Sequence, residues 1–179
     1  MKLLRTIRLD PSDTFVFDLA AEPGEWAVSG AFVFWNADPG TLEGRARTEF
    51  RSGFLGLTSL GWSTLVQIVE ASEDDRLAAV DLLARQLVEK FGAPSIEDAV
   101  AAAEEEVAFA ESLGTQPTDT LVAVHRTYED GAVREQFRTL RRREGQKPAR
   151  AFSFFDVEGE VETPTEQVDL LTLAERERK

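Results

Sequence analysis

Cysteine is absent from this 179-residue sequence, and histidine, tyrosine and methionine occur once each. Without cysteine the chain has no disulfides, no thiolate metal ligands and no cysteine nucleophile, which fits a cytoplasmic location. A single histidine leaves few ways to pair a nucleophile with a general base. The sequence therefore predicts no catalytic residues and favours a non-catalytic domain over an enzyme.

Long hydrophobic runs and the common cofactor motifs are also missing. No stretch reaches the roughly 18 consecutive apolar residues of a membrane span, and Arg5 and Arg8 interrupt the N-terminal apolar run before an export signal could form. The patterns HExxH, GxGxxG and GxxxxGK followed by Ser or Thr do not occur. Zinc sites and phosphate-binding loops usually carry such patterns, so we predict no metal, no cofactor and no membrane association.

Basic residues are few, because 20 lysines and arginines stand against 33 acidic residues for a net charge of −13. This charge repels nucleic acid, which we do not expect as a partner. The distribution is uneven: residues 70–130 hold 15 acidic and 4 basic residues, whereas residues 131–150 hold 2 acidic and 7 basic ones. An acidic central part is thus followed by a short basic part.

The uneven charge predicts an acidic face and a basic patch. Glu97, Glu104 and Glu111 are seven residues apart and would share one stripe of a helix. We favour a solvated face; the alternative is docking onto a basic partner surface or onto the basic residues of a second copy. The basic patch consists of Arg126, Arg134, Arg138 and Arg141. It would hold an anionic group or pair with the acidic helices.

Residue periodicity predicts the secondary structure. Ser72 with Asp75, and Ser95 with Asp98, are capping pairs that open helices over residues 73–91 and 95–113. Residues 41–52 fit either a short helix or, by their alternation, a strand. Strands are predicted over residues 3–9, 14–19, 26–35, 64–70, 120–128 and 132–140, and a last one over residues 151–157.

These elements predict an α+β fold, with an antiparallel sheet of about six or seven strands and two antiparallel helices packed on one face. Residues 1–157 would form a single domain. Residues 158–179 would be an acidic C-terminal extension with a short amphipathic helix, which either docks on the domain or binds a partner.

The stretch of residues 52–69 is uncharged, although charged residues make up 30% of the chain. Glycines interrupt it, so we predict an aromatic loop over residues 53–62 and a core strand over residues 64–69. The loop is a candidate partner or ligand surface; covering the open face or edge of the sheet is the equally weighted alternative. Its apolar side chains are Phe54, Leu55, Leu57, Leu60 and Trp62.

The single histidine, His125, lies within a predicted strand. We favour a structural role for it. The alternative is a small-molecule-binding protein or minor enzyme, in which His125 is a polar group of a pocket between sheet and helices near Trp62.

Four segments, residues 53–64, 103–114, 119–126 and 134–140, resemble a small bacterial family of unknown function, and the similarity covers most of residues 1–142. Such proteins are associated with accessory genes of molybdenum-dependent formate dehydrogenases. The resemblance implies a role in assembly or maturation of a redox enzyme. The expected function is therefore that of a cytoplasmic accessory or protein-interaction module, which binds a protein partner or a second copy of itself.

Overall fold

The computed structural model describes residues 1–141, and these residues form the predicted α+β fold. The strand predicted over residues 151–157 and the extension over residues 158–179 lie outside the described residues. The helices are α1 (Asp13–Val16), α2 (Gly44–Ser52), α3 (Glu73–Phe91) and α4 (Ile96–Ser112). The strands are β1 (Lys2–Ile7), β2 (Trp26–Val28), β3 (Phe54–Gly56), β4 (Trp62–Ser63), β5 (Leu65–Glu70), β6 (Leu121–Glu129) and β7 (Ala132–Leu140).

The seven strands form one antiparallel sheet in the order β4-β3-β2-β1-β5-β6-β7, which curls into a half-barrel. β1 is central, because Leu4 lies opposite Ala27 of β2 on one side and Ile68 of β5 on the other. β6 and β7 form the predicted hairpin through a turn at Asp130 and Gly131, both of which have positive φ. This turn geometry matches the right-handed twist of the two strands.

Helices α3 and α4 begin at the predicted capping residues. The Ser72 hydroxyl accepts a hydrogen bond from the Asp75 amide at 3.1 Å, and the Asp75 carboxylate accepts one from the Ser72 amide at 2.9 Å. The Ser95 hydroxyl likewise accepts from the Asp98 amide at 3.1 Å. Both caps satisfy amide groups that a helix start leaves without partners.

The core lies between the sheet and these two helices. α4 lies against β1 and β2, and α3 packs along α4. Buried side chains recur along both helices at helical spacing, so one stripe of each faces the interior. The predicted packing of two helices on one sheet face is confirmed. The largest apolar side chains with almost no exposure are Phe17, Phe54, Leu4, Leu55, Leu57, Ile68 and Leu83.

One predicted strand is wrong, and another is too long. Residues 14–19 begin with the single helical turn α1, because the carbonyl groups of Pro11 and Ser12 accept the following amides and extend the predicted turn into a helix. Residues 26–35 form a strand only as far as Val28. Gly30 has a φ of 78°, and a residue in this left-handed conformation turns the chain into a short 3-10 helix, Ala31–Phe34.

The segment between Gly44 and Ser63 also differs from its sequence pattern. Residues 44–52 form helix α2, although their alternation weakly favours a strand. The predicted glycine-rich loop contains the short strands β3 and β4, which pair through Leu55 and Trp62. The uncharged stretch of residues 52–69 thus contains β3, β4 and most of β5, and every residue of β3 and β4 is buried.

The edge strand β4 is covered by the chain segment that precedes β2. Ala20 forms a parallel bridge with Trp62. The Trp62 amide donates to the Leu19 carbonyl at 2.8 Å, and the Ala21 amide donates to the Trp62 carbonyl at 2.9 Å. Because these bonds use the outward backbone groups of Trp62, this edge does not present them to another strand.

Candidate functional site

The aromatic segment predicted as a surface lies inside the protein. Phe54, Leu55, Leu57 and Trp62 are all buried, and Leu60 is partly buried against the same core. The Trp62 ring stacks on Phe34 with ring centroids 5.3 Å apart. These side chains fill the core at one end of the sheet, so they do not form an exposed partner surface in this structure.

A buried carboxylate fixes the turn between β3 and β4. Glu25 accepts hydrogen bonds from the amides of Thr58 and Ser59, both at 2.8 Å, through one carboxylate oxygen. The other oxygen accepts the Glu22 amide at 2.7 Å. Sequence reasoning missed Glu25, because nothing in the spacing of a lone acidic residue after a Pro-Gly turn predicts a contact 33 residues away.

Gly61 lies where the turn meets the covering segment, and replacing it with alanine is expected to lower the free energy of unfolding by about 1–3 kcal/mol. A β-carbon there would lie 2.6 Å from the carbonyl carbon of Ala20 and from the amide nitrogen of Ala21. The backbones would have to separate, which breaks the bonds between Trp62 and the covering segment. Urea unfolding measures the loss.

Thr58→Ala is the matched control for Gly61→Ala, because its side chain is exposed in the same turn. It should change the free energy of unfolding by no more than about 0.5 kcal/mol. Equal unfolding midpoints for the two variants would contradict the importance of the close backbone approach.

Arg126 is the centre of a buried polar cluster that joins both halves of the curled sheet. Its side chain is 1% exposed although the sequence places it in a basic patch. One terminal nitrogen donates to the carbonyls of Phe50 at 3.0 Å and Gly53 at 2.7 Å. The other donates to the carbonyl and the hydroxyl of Ser29, the latter at 3.0 Å.

The fifth N–H of the guanidinium, on Nε, donates to Glu135 at 2.7 Å. Arg126 faces Glu135 across the hairpin register, and the Ser29 hydroxyl donates to the same carboxylate oxygen. A guanidinium has five N–H donors, and all five are occupied here. Arg126 therefore cannot bind an anionic ligand, and its expected place in an exposed basic patch is wrong.

Glu106 adds a second acidic side chain to this cluster from α4. One of its carboxylate oxygens is buried and has no hydrogen-bond partner. Burial, together with the nearby Glu135 carboxylate, raises the pKa of Glu106 to about 7, although the positive charge of Arg126 opposes the increase. Burial lowers the pKa of Arg126 and its contact with Glu135 opposes that change, but a guanidinium stays protonated at any physiological pH.

The other three residues of the predicted basic patch, Arg134, Arg138 and Arg141, are exposed. Arg134 is exposed and lies 3.7 Å from Glu129 of the same hairpin. Arg141 donates to the Gln116 side chain at 2.6 Å. Arg138 is exposed on the strand face that also carries His125.

The predicted acidic face is only partly solvated. Glu97 and Glu104 are exposed, but Glu111 is half-buried and lies 3.5 Å from Arg76 of α3. The described ion pairs include none between these three glutamates and the basic hairpin. Glu106, the cluster residue, belongs to the same helix but does not share the seven-residue spacing of the other three.

His125 is half-buried on β6, opposite Gln136 of β7. Burial lowers its pKa, and the positive charges of Arg51 and Arg138 lower it further, so all three disfavour the protonated imidazole. It lines neither of the two hollows described below.

Within residues 1–141, one small cavity lies between the sheet and helices α3 and α4. The cavity there has a volume of about 10 Å³ and is lined by apolar side chains such as Leu4, Val28 and Val107. A groove of about 220 Å³ lies at the surface, where β1 ends and β5 begins. Binding pockets for small molecules measure roughly 300–1,000 Å³, so neither hollow fits the predicted pocket near Trp62.

Residues 1–141 contain no group of three or more His, Asp or Glu side chains placed to hold a metal ion. Over the same residues, none of the helices combines the length and the hydrophobicity that crossing a bilayer requires.

Large apolar side chains are exposed in the segment of residues 9–19, which leads from β1 through α1 to the covering segment. Phe15 exposes 70% of its surface, and Leu9, Val16 and Leu19 are exposed beside it in the sequence. Trp35 is a second exposed aromatic residue, at 76%, but it follows the 3-10 helix Ala31–Phe34. Sequence analysis missed Phe15, because residues 14–19 read as a strand with one buried face.

The fold and its interior define a small α+β domain with a half-barrel sheet, a buried arginine cluster and an exposed apolar segment. The chain belongs to a family of unknown function, DUF6505, whose sequence profile matches residues 1–156. It has no significant match among the curated proteins or the solved structures.

Proposed function

We propose that this protein is a non-catalytic accessory protein that binds a partner protein through the apolar segment of residues 9–19. The observation that carries the proposal is the exposure of Phe15 and its apolar neighbours in one short segment. Exposed apolar clusters mark protein interaction sites. The exposed side chains are Leu9, Phe15, Val16 and Leu19.

Hydrogen bonds hold this segment in place without a partner. The Asp13 carboxylate accepts from the Thr64 amide at 3.1 Å and from the Thr64 hydroxyl at 2.5 Å. At the other end, the Leu19 carbonyl accepts from the Trp62 amide at 2.8 Å. A segment that is ordered in advance loses less entropy on binding, which supports its use as a docking surface.

The partner's contact segment should carry both apolar and basic side chains. The 220 Å³ groove beside α1 is lined by Ile7, Leu9 and Leu65, with Asp10 also in its wall. The net charge of −13 and the exposed glutamates of α4 favour approach by a basic surface.

The sequence resemblance to proteins associated with formate dehydrogenase accessory genes supports a specific partner. We therefore propose a subunit of a molybdenum-dependent formate dehydrogenase, bound in the cytoplasm during assembly. A small-molecule function gains no support from the cavity volumes, which lie below the range of ligand pockets.

Phe15→Asp is expected to weaken binding to that subunit at least about tenfold, the equivalent of about 1.4 kcal/mol. Phe15 is exposed, so the substitution should change the free energy of unfolding by no more than about 0.5 kcal/mol. Binding is measured by titrating the purified formate dehydrogenase subunit, in its cofactor-free form, onto immobilised wild-type and variant protein.

Trp35→Asp is the matched control, because it removes an equally exposed aromatic side chain outside the segment. It should bind as the wild type does. Unchanged binding by Phe15→Asp would contradict the docking surface, and no binding by the wild type would contradict the formate dehydrogenase partner. A wild type that sediments as a dimer and a Phe15→Asp variant that sediments as a monomer would make the partner a second copy of the chain.

A further inference from the structure

Two acidic side chains, Glu106 of α4 and Glu135 of β7, interact electrostatically with Arg126 of β6. Glu135 already accepts from Arg126 Nε at 2.7 Å and from the Ser29 hydroxyl. The other four guanidinium N–H groups are donated to Ser29 and to two backbone carbonyls. No donor of Arg126 remains for Glu106.

Glu106 thus carries a buried carboxylate oxygen without a hydrogen-bond partner. The charged groups that act on it are Glu135 of β7, Arg126 of β6 and Glu105 of its own helix. On α3, Arg76 approaches α4 at Glu111 instead. When both Glu106 and Glu135 are ionised, this buried cluster has one negative charge in excess, which desolvation makes unfavourable.

We propose that Glu106 is a proton-binding switch that makes the packing of α4 on β7 depend on pH near neutrality. With a proton on Glu106 the cluster has no net charge and α4 packs against the hairpin, where the rings of Phe109 and Phe137 lie 5.7 Å apart. Loss of the proton creates a carboxylate that Glu135 repels and that gains by reaching water. The resulting force moves this part of α4 away from β7.

The direction of the pH effect follows from proton linkage. The pKa of Glu106 rises from its ordinary 4.5 to about 7 in the folded protein. Between these two values the folded protein holds a proton that the unfolded chain has released. Stability therefore falls as pH rises through this window, with an increase in the unfolding equilibrium constant of up to about tenfold per pH unit.

A carbon-13 NMR titration of the glutamate side chains in the wild-type protein tests the proton site directly. The Glu106 carboxyl signal should titrate with a midpoint near pH 7. A midpoint below about pH 5, in the ordinary range for glutamate, would overturn the proposal. This measurement needs no variant and so does not depend on whether a variant folds.

Glu106→Gln tests the link between this proton and stability. Urea unfolding between pH 5 and pH 8 should show the wild type losing stability relative to Glu106→Gln, with the ratio of unfolding constants changing by up to about 70-fold. Glu105→Gln, an equal charge change at the exposed neighbouring residue, should keep the wild-type slope. Parallel pH profiles for wild type and Glu106→Gln would overturn the switch.

A third measurement reports the movement of α4 itself. The nuclear Overhauser effect between the rings of Phe109 and Phe137 should weaken above pH 7 in the wild type and stay constant in Glu106→Gln. An unchanged signal in the wild type would show that loss of the Glu106 proton does not move α4, and it would overturn the proposed change in packing.

Discussion

Arg126→Met is expected to lower the free energy of unfolding by about 3–5 kcal/mol, the cost of breaking a buried ion pair by removing one partner. Methionine keeps the apolar volume of the side chain but donates no hydrogen bond. Glu135 would lose its Nε donor, and the carbonyls of Ser29, Phe50 and Gly53 would lose theirs. A buried acceptor without a donor costs about 1–3 kcal/mol.

Equilibrium urea unfolding, followed by far-UV circular dichroism, measures this loss. Arg134→Met is the matched control on the same hairpin, because Arg134 is exposed and lies 3.7 Å from Glu129 in a surface pair. Its effect should stay within about 0.5 kcal/mol. A similar loss for both variants would show that removal of any hairpin charge is harmful.

The double variant Arg126→Met with Glu135→Leu separates the ion pair from the remaining cluster. Without Glu135, the loss of Arg126 no longer leaves the Glu135 carboxylate unpaired, so the double variant should lose less stability than the two single variants together. Strict additivity would contradict the coupling of the two side chains. The carbonyl groups of Phe50 and Gly53 remain without a donor in either case.

Trp62→Ala should also lower the free energy of unfolding by about 3–5 kcal/mol, the range for large aromatic side chains in a core. The Trp62 ring stacks on Phe34 and lies against the backbone of Gly53. Truncation would leave a cavity under the edge of the sheet, where the covering segment is attached to β4. Thermal and urea unfolding of the same variant measure the loss.

Trp35→Ala is the control for Trp62→Ala, because it deletes the same side chain from the surface. It should change stability by less than about 0.5 kcal/mol. If Trp62→Ala instead unfolded like the wild type and lost only its partner, residues 53–62 would be a contact surface and the buried placement of Trp62 would be contradicted.

The architecture was largely predictable from local patterns. The spacing of apolar residues and the Ser-Asp caps predicted α3 and α4, and the Asp130-Gly131 turn predicted the hairpin. These signals depend only on residues within one helix or hairpin, so contacts with the rest of the chain do not change them. The predictions fail where contacts between distant parts of the chain determine the local conformation. Gly30 is an example, because its left-handed conformation ends β2 at a point where the backbone lies close to Leu55.

The candidate site was predictable only in part. An uncharged, glycine-interrupted stretch with aromatic residues has the same composition whether it covers a partner or fills a core. For Arg126, strand alternation places the residue on the face that carries Val122 and Val124. It does not predict the curvature of the sheet, which brings the carbonyls of Ser29 and Gly53 within hydrogen-bonding distance of the guanidinium. Glu106 is one of three consecutive glutamates, and the sequence does not show that it is the one that is partly buried.

The reach of Arg126 has a consequence for synthesis of the chain. Its acceptors at Ser29, Phe50 and Gly53 precede it by 97, 76 and 73 residues. At the usual rates of translation of about 5–20 residues per second, roughly 4–15 s separate the emergence of Gly53 from that of Arg126. During that interval the carbonyls of Ser29, Phe50 and Gly53 lack the donor that Arg126 later provides, so this buried cluster can form only after the hairpin has been synthesised.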